Sequence, residues 1–144
     1  MPLLIDGKKI STEIKDELKV TVEELKKQGV ETCLAVIQVG DDPASSIYVR
    51  NKKRACAYVG IESLSYELPE ETTEDQLVKL VKELNENDNV HGILVQLPLP
   101  KHINADTIIR TISPDKDVDG FHPESVGRLC IGEPGFVSCT PAGI

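Results

Sequence analysis

Aromatic side chains are scarce in this 144-residue chain: three Tyr, two Phe and no Trp. So few rings leave little for a base-stacking platform. Positive charge is short as well. Lys and Arg number 16 against 24 Asp and Glu, and the net charge of −8 makes the chain a poor general nucleic-acid binder. No apolar run approaches the roughly 20 residues of a membrane span. The opening residues, Met1 to Gly7, show no basic segment, long apolar segment or Arg-rich amphipathic stretch of the kind that targets a chain elsewhere. The cytoplasm is the expected address. The four cysteines, Cys33, Cys56, Cys130 and Cys139, form no C-x-x-C pair, and with only three histidines no zinc pattern emerges. They read as reduced, buried thiols. Gly-x-Gly-x-x-Gly and the P-loop are both missing, so no dinucleotide or nucleoside triphosphate cradle is expected, and no metal site.

What remains is a chain with 40% hydrophobic residues, long enough for one compact domain. Ile10, Ile14, Leu18, Val22 and Leu25 recur at helical spacing, which predicts a helix over 11–27 stopped by Gly29. Thr32 to Val39 is a short, nearly continuous apolar run, the pattern of a strand buried on both faces. Asp41-Asp42-Pro43 turns the chain into a helix over 44–59 that stops at Gly60, and Glu62 to Leu68 is a second strand. Thr73 and Gln76 have capping-box spacing ahead of a stripe of Leu77, Leu80, Val81 and Leu84. Val90 to Leu97 is the third strand, ended by Pro98 and Pro100. A helix over 104–112 follows, and 113–138 reads as loop. This alternation predicts an α/β fold, a three-layer sandwich with a mostly parallel sheet flanked by helices. Thr140-Pro141 is a helix start, with Thr as cap and Pro at the first position. A helix of so few residues is unstable, so residues 1–144 are expected to be one domain of a longer protein.

Three places could carry chemistry. On a helical wheel centred on Tyr48, Arg50, Lys53 and Arg54 lie opposite, while Lys52 falls in the middle of the apolar face. A lysine there snorkels, pairs with an acid or lines a cleft; in a dry cleft it becomes a usable acid/base. Gln96 closes an otherwise apolar strand, at the carboxyl end where open α/β sheets collect ligands. Its amide serves either a ligand or a loop. Asp115, Asp117 and Asp119 crowd five positions and superficially resemble a calcium loop, but without the later Glu and flanking helices. They read either as a solvated turn or as a carboxylate presented to a donor-rich ligand. His91, His102 and His122 have no nucleophile beside them and read as structural.

Taken in order, Gly40-Asp41-Asp42-Pro43-Ala44-Ser45, Tyr48-Val49-Arg50-Asn51-Lys52, Val95-Gln96-Leu97-Pro98-Leu99-Pro100, Asp117-Val118-Asp119-Gly120-Phe121 and Cys139-Thr140-Pro141-Ala142-Gly143 resemble the FolD-type family. These are bifunctional methylenetetrahydrofolate dehydrogenase/methenyltetrahydrofolate cyclohydrolases. The resemblance implies that this chain is the folate-binding catalytic domain. A C-terminal Rossmann-like domain, absent from this chain, would bind NADP or NAD. It implies oxidation of 5,10-methylenetetrahydrofolate to the methenyl form and hydrolysis to 10-formyltetrahydrofolate, in the one-carbon metabolism that supplies purine biosynthesis. By motif, Lys52 would be the acid/base, with Gln96 setting its protonation state. Tyr48 would stack on the aminobenzoate ring, and Asp119 would accept hydrogen bonds from the pterin. Val95, Leu97 and Pro98 would line the pocket. Tetrahydrofolate derivatives are the implied partners and a homodimer the implied state of the whole protein. Two other readings stand beside this one. A non-catalytic folate-binding or oligomer-forming fragment is one. A receiver-like signalling domain using Asp41-Asp42 is the other, although Gln96 stands where such a site wants a third carboxylate.

Overall fold

A computed structural model describes residues 5–143. The first helix, α1 (Gly7–Lys27), begins four residues earlier than its apolar spacing suggests, because Asp6 accepts hydrogen bonds from the backbone of Lys8 and Lys9. Its apolar stripe is not a core face. Ile10, Ile14 and Leu18 are exposed, and only Val22 is buried. Strand β1 (Cys33–Val39) then leads through Gly40 into α2 (Pro43–Val59). Asp42 caps α2 by accepting from Ser45 N at 2.8 Å, Pro43 occupies the first turn, and Gly60 ends it at φ 90°. Strand β2 (Glu62–Leu68) follows, then α3 (Glu74–Glu86) with the Thr73/Gln76 capping box in place. After strand β3 (Gly92–Val95) comes α4 (Ala105–Thr111).

The sheet is parallel, in the order β2-β1-β3. Its strands sort their side chains by parity. Cys33, Ala35, Ile37 and Val39 pack with Ile93 and Val95 against Leu77, Val81 and Leu84 of α3 and Ile108 of α4. Val36 and Leu94 face the other way, onto Val49 of α2. Helices therefore cover both faces of the sheet, with α1 outside α2, and the expected three-layer α/β architecture is present. β2 is an edge strand. β3 is shorter than the apolar run that predicts it. His91 N donates to Cys33 O and Gln96 N to Ile37 O, so contact with β1 runs one residue past each end while the regular ladder holds only four residues. Pro98, after a cis Leu97–Pro98 bond, prevents any extension.

The region read as loop contains structure. A single 3-10 turn spans Pro114–Lys116, and α5 covers Pro123–Ile131. His122 Nδ1 accepts from Glu124 N, Pro123 takes the first position and Gly132 the left-handed end. These are ordinary helix punctuation, hidden by the Pro- and Gly-rich composition. A last short helix, α6 (Cys139–Gly143), starts before the expected Thr140 cap, since Ala142 N donates back to Ser138 O. Two thiols, Cys33 and Cys56, are buried; Cys130 and Cys139 are exposed, against expectation, because α5 and α6 leave them on outward faces.

Asp117 holds this C-terminal region to the sheet. It is only 2% exposed, and it forms an isolated parallel bridge with Ile93. Its Oδ2 accepts from His122 N at 2.8 Å and Ser125 Oγ at 2.9 Å. Beside it, Lys116 Nζ donates to three carbonyls at the end of α3, those of Leu84, Asn85 and Asn87. The run of charges is thus no solvated turn. Asp117→Ala would leave two donors without an acceptor. It is expected to lower unfolding free energy by about 1–3 kcal/mol in urea denaturation; an unchanged midpoint would show that the carboxylate anchors nothing.

Candidate active site

Because β2 and β3 lie on opposite sides of β1, the crevice of this sheet falls at the carboxyl ends of the strands. There α2 faces the segment that follows β3, and a cleft of about 330 Å³ opens between them. Six residues singled out in the sequence line it: Tyr48, Lys52, Val95, Gln96, Leu97 and Asp119. Pro98 does not border it; it is exposed, and its role is to stop the strand.

Lys52 reaches the cleft from within the packed face of α2. The buried positions Ser45, Val49, Cys56 and Val59 form a stripe at helical spacing, and position 52 falls in the middle of that stripe. The apolar face does not centre on Tyr48, as the wheel suggests. Tyr48 is 59% exposed, and Ile47 and Tyr58 are exposed too. The half-buried Lys52 donates from Nζ to Gln96 Oε1 at 3.0 Å. Gln96 Nε2 donates to Leu97 O at 2.8 Å, which fixes the amide the right way round, since a carbonyl can only accept. Gln96 is itself held in place by its backbone bond to Ile37. Lys52 Nζ also stands 6.0 Å from the centre of the Tyr48 ring, within cation–π range.

Asp119 closes the opposite side. Burial pushes its carboxyl above the ordinary carboxylate value; Lys52 opposes that shift, and Asp117 adds to it. Lys52 and Asp119 line the same cleft without forming an ion pair within 4.0 Å, so a cation and a carboxyl are both open to it. Two close approaches place Asp119. At Gly92 an added Cβ would lie 2.6 Å from Val118 Cγ1, so only glycine lets the 117–119 segment lie against the sheet. At Gly120, φ is +67° and a Cβ would meet backbone atoms of Phe136 and Ser138 at 2.9 Å.

That second crossing explains two lining residues missed in the sequence. The chain passes over Gly120 and brings Thr140 into the cleft, while Phe121 follows directly on Gly120. Phe121, one of only two phenylalanines, is a legible signal; Thr140 reads as a helix cap and as part of the Cys139–Gly143 motif, but not as a cleft residue. The histidines are structural. His91 Nδ1 accepts from Cys33 N, His102 Nε2 lies 2.8 Å from Thr72 O, and His122 caps α5. Among the described residues no cluster of side chains is arranged to hold a metal ion, and no helix is long and apolar enough to cross a membrane.

Comparison with known proteins gives this geometry a context. The family model described as tetrahydrofolate dehydrogenase/cyclohydrolase, catalytic domain, matches residues 5–119. The chain is 69% identical over its whole length to the bifunctional protein FolD of Agathobacter rectalis, covering 52% of that protein, and 67% identical to that of Lachnoclostridium phytofermentans, covering 51%. It superposes with a TM-score of 0.94 on the Campylobacter jejuni bifunctional enzyme FolD, methylenetetrahydrofolate dehydrogenase/cyclohydrolase, at 55% identity, spanning 96% of this chain and 49% of the other. For a Trypanosoma brucei methylenetetrahydrofolate dehydrogenase-cyclohydrolase, complexed with NADP cofactor and inhibitor, the TM-score is 0.93 at 37% identity, spanning 99% and 50%. The chain spans about half the length of the curated relatives it matches.

The raised carboxyl of Asp119 has a stability consequence. Between the unfolded value of 3.8 and its higher folded value, the folded chain binds more protons than the unfolded one, so stability falls as pH rises through that window. Asp119→Asn removes this opposition. The variant is expected to melt above the wild type at neutral pH, with the gap closing below 3.8, where the carboxyl is protonated in both states. A gap that widens on acidification would contradict the burial described.

Proposed function

Since the chain belongs to the tetrahydrofolate dehydrogenase/cyclohydrolase catalytic-domain family, we propose that its cleft binds a tetrahydrofolate derivative and that Lys52 handles protons at the one-carbon unit. The observation that carries this reading is the Lys52 amine, rooted in the packed face of α2, oriented by Gln96, and lining one cleft with Asp119. The exposed Tyr48 ring offers a flat apolar surface for the aminobenzoate. Asp119 accepts from the pterin's amino and ring N–H groups, and Val95 and Leu97 close the walls.

In the hydrolytic half-reaction, water adds to the carbon of the methenyl bridge and gives up a proton. The bond from that carbon to one folate nitrogen then breaks, and that nitrogen takes a proton, leaving the formyl product. Both transfers need a group that holds and releases a proton beside the bridge, and Lys52 supplies it. Gln96 Oε1 accepts one N–H of Lys52, which directs the remaining amine valences into the cleft.

The dehydrogenase reaction also needs a dinucleotide, NADP or NAD, to accept a hydride. This chain does not fit one. At the β1–α2 turn, where such a fold would receive a pyrophosphate, Asp42 already fills the helix N-terminus with a carboxylate and Asp41 stands beside it. In this reading the dinucleotide is held by the remainder of the whole protein, a second, Rossmann-like domain. The whole protein works as a cytoplasmic homodimer in one-carbon metabolism that serves purine biosynthesis.

Two substitutions test this reading in the whole protein. Lys52→Met is expected to reduce hydrolysis of 5,10-methenyltetrahydrofolate by at least about 100-fold, the scale of general acid–base catalysis, without shifting the melting temperature. Near-normal turnover would remove Lys52 from proton transfer. Tyr48→Ala is expected to weaken a folate analogue by roughly tenfold in calorimetric titration, the loss of one aromatic contact of ~1 kcal/mol or more. Unaltered affinity would place the aminobenzoate elsewhere.

A further inference from the structure

On the other flank of α2, towards β2, lies a second cavity of about 410 Å³, a volume in the range of small-molecule sites. It shares no lining residue with the cleft that holds Lys52. At its base is Gln38, a polar side chain at the end of β1 that is only 5% exposed. Its Nε2 donates to Gly40 O at 3.1 Å and to Ser46 Oγ at 3.0 Å. The carbonyl partner fixes the amide orientation, so Oε1 is the atom left over, and it receives no hydrogen bond from any described residue. Ser46 Oγ already accepts from Gln38, which leaves its own proton to donate.

The walls carry both signs of charge. Arg50 and Lys53 project from α2, while Asp41 and Glu67 come from the ends of β1 and β2. None of the four is within 4.0 Å of an opposite charge among the described residues, although all line the same cavity. Two cations and two carboxylates held apart across one space are complementary to a molecule that carries a charge of each sign. Gln38 Oε1, at the base of the same space, is an acceptor open to a ligand's N–H.

We propose that this cavity is a second binding site, separate from the folate cleft, for a small zwitterion of the α-amino acid class. The carboxylate of the ligand lies against Arg50 and Lys53, and its ammonium group lies towards Glu67 and Asp41, with a proton given to Gln38 Oε1. A plain anion would satisfy the first pair and meet repulsion from the second. Val49 lines this cavity while its neighbour Tyr48 lines the other, so one helix separates the two sites.

The test is an NMR titration of the full, isotope-labelled chain with glycine, and in parallel with acetate and methylammonium, which are its two halves. Glycine is expected to shift the Gln38 side-chain amide and the Arg50 Nε–H resonances saturably, at an affinity about tenfold or more above either half. Arg50→Gln and Glu67→Gln, both at exposed positions, are each expected to weaken glycine by about tenfold with the β1 resonances unmoved. Absence of saturable shifts, acetate or methylammonium binding as tightly as glycine, or indifference to both substitutions would overturn the proposal.

Discussion

A single buried carboxylate, Asp117, organises the half of the molecule that sequence periodicity describes least. No described cation pairs with it within 4.0 Å, Lys116 being turned to the carbonyls at the end of α3, and it is held by hydrogen bonds from His122 and Ser125 and by a backbone bridge to Ile93. Burying a charge is unfavourable unless it is well bonded, so the arrangement tolerates few alternatives. Through it the start of α5 and the 117–119 segment are pinned to the outer side of β3. Asp119 lies two residues from this anchor, and its side chain reaches the cleft because the anchor and the glycines at 92 and 120 leave the segment one path.

The cleft itself joins parts far apart in the chain. Lys52 comes from α2 and Gln96 from the residue after β3, and their hydrogen bond spans 44 positions. The parallel ladder makes that meeting possible. Ile37 pairs with Val95, and Ile37 O then takes the amide of Gln96, so the glutamine is placed by backbone bonding before its side chain bonds anything. Such preorganisation is what an acid/base group requires, because a misplaced amine gains little from being available.

Much of this was legible in the sequence, for reasons that differ by element. β1 is marked by an apolar run between Gly29 and Gly40, β2 by an alternating run between Gly60 and Pro69, and α3 by a capping box with an apolar stripe, local signals that tertiary packing reinforces. Lys52 stood out because a cation interrupted a buried stripe. α5 was missed because its punctuation, His122, Pro123 and Gly132, sits in a stretch whose composition resembles a loop. The role of Asp117 was illegible for another reason. Nothing in Asp-Val-Asp distinguishes the carboxylate that turns inward from the one that turns to the cleft; burial by β3 makes that choice. The exposed stripe of α1 shows the opposite failure, an amphipathic pattern with no surface over it among the described residues.

The outer border of β2 bears on how copies of this chain behave at high concentration. Along its seven residues, the alternate backbone donors and acceptors that point away from β1 are taken up by no neighbouring strand among the described residues, a template on which another polypeptide could stack. Glu62 and Glu67 stand at its two ends, Pro69 follows at once, and the molecule carries a net charge of −8. Identical copies approaching edge to edge bring like charges together, a gatekeeping arrangement that opposes such stacking.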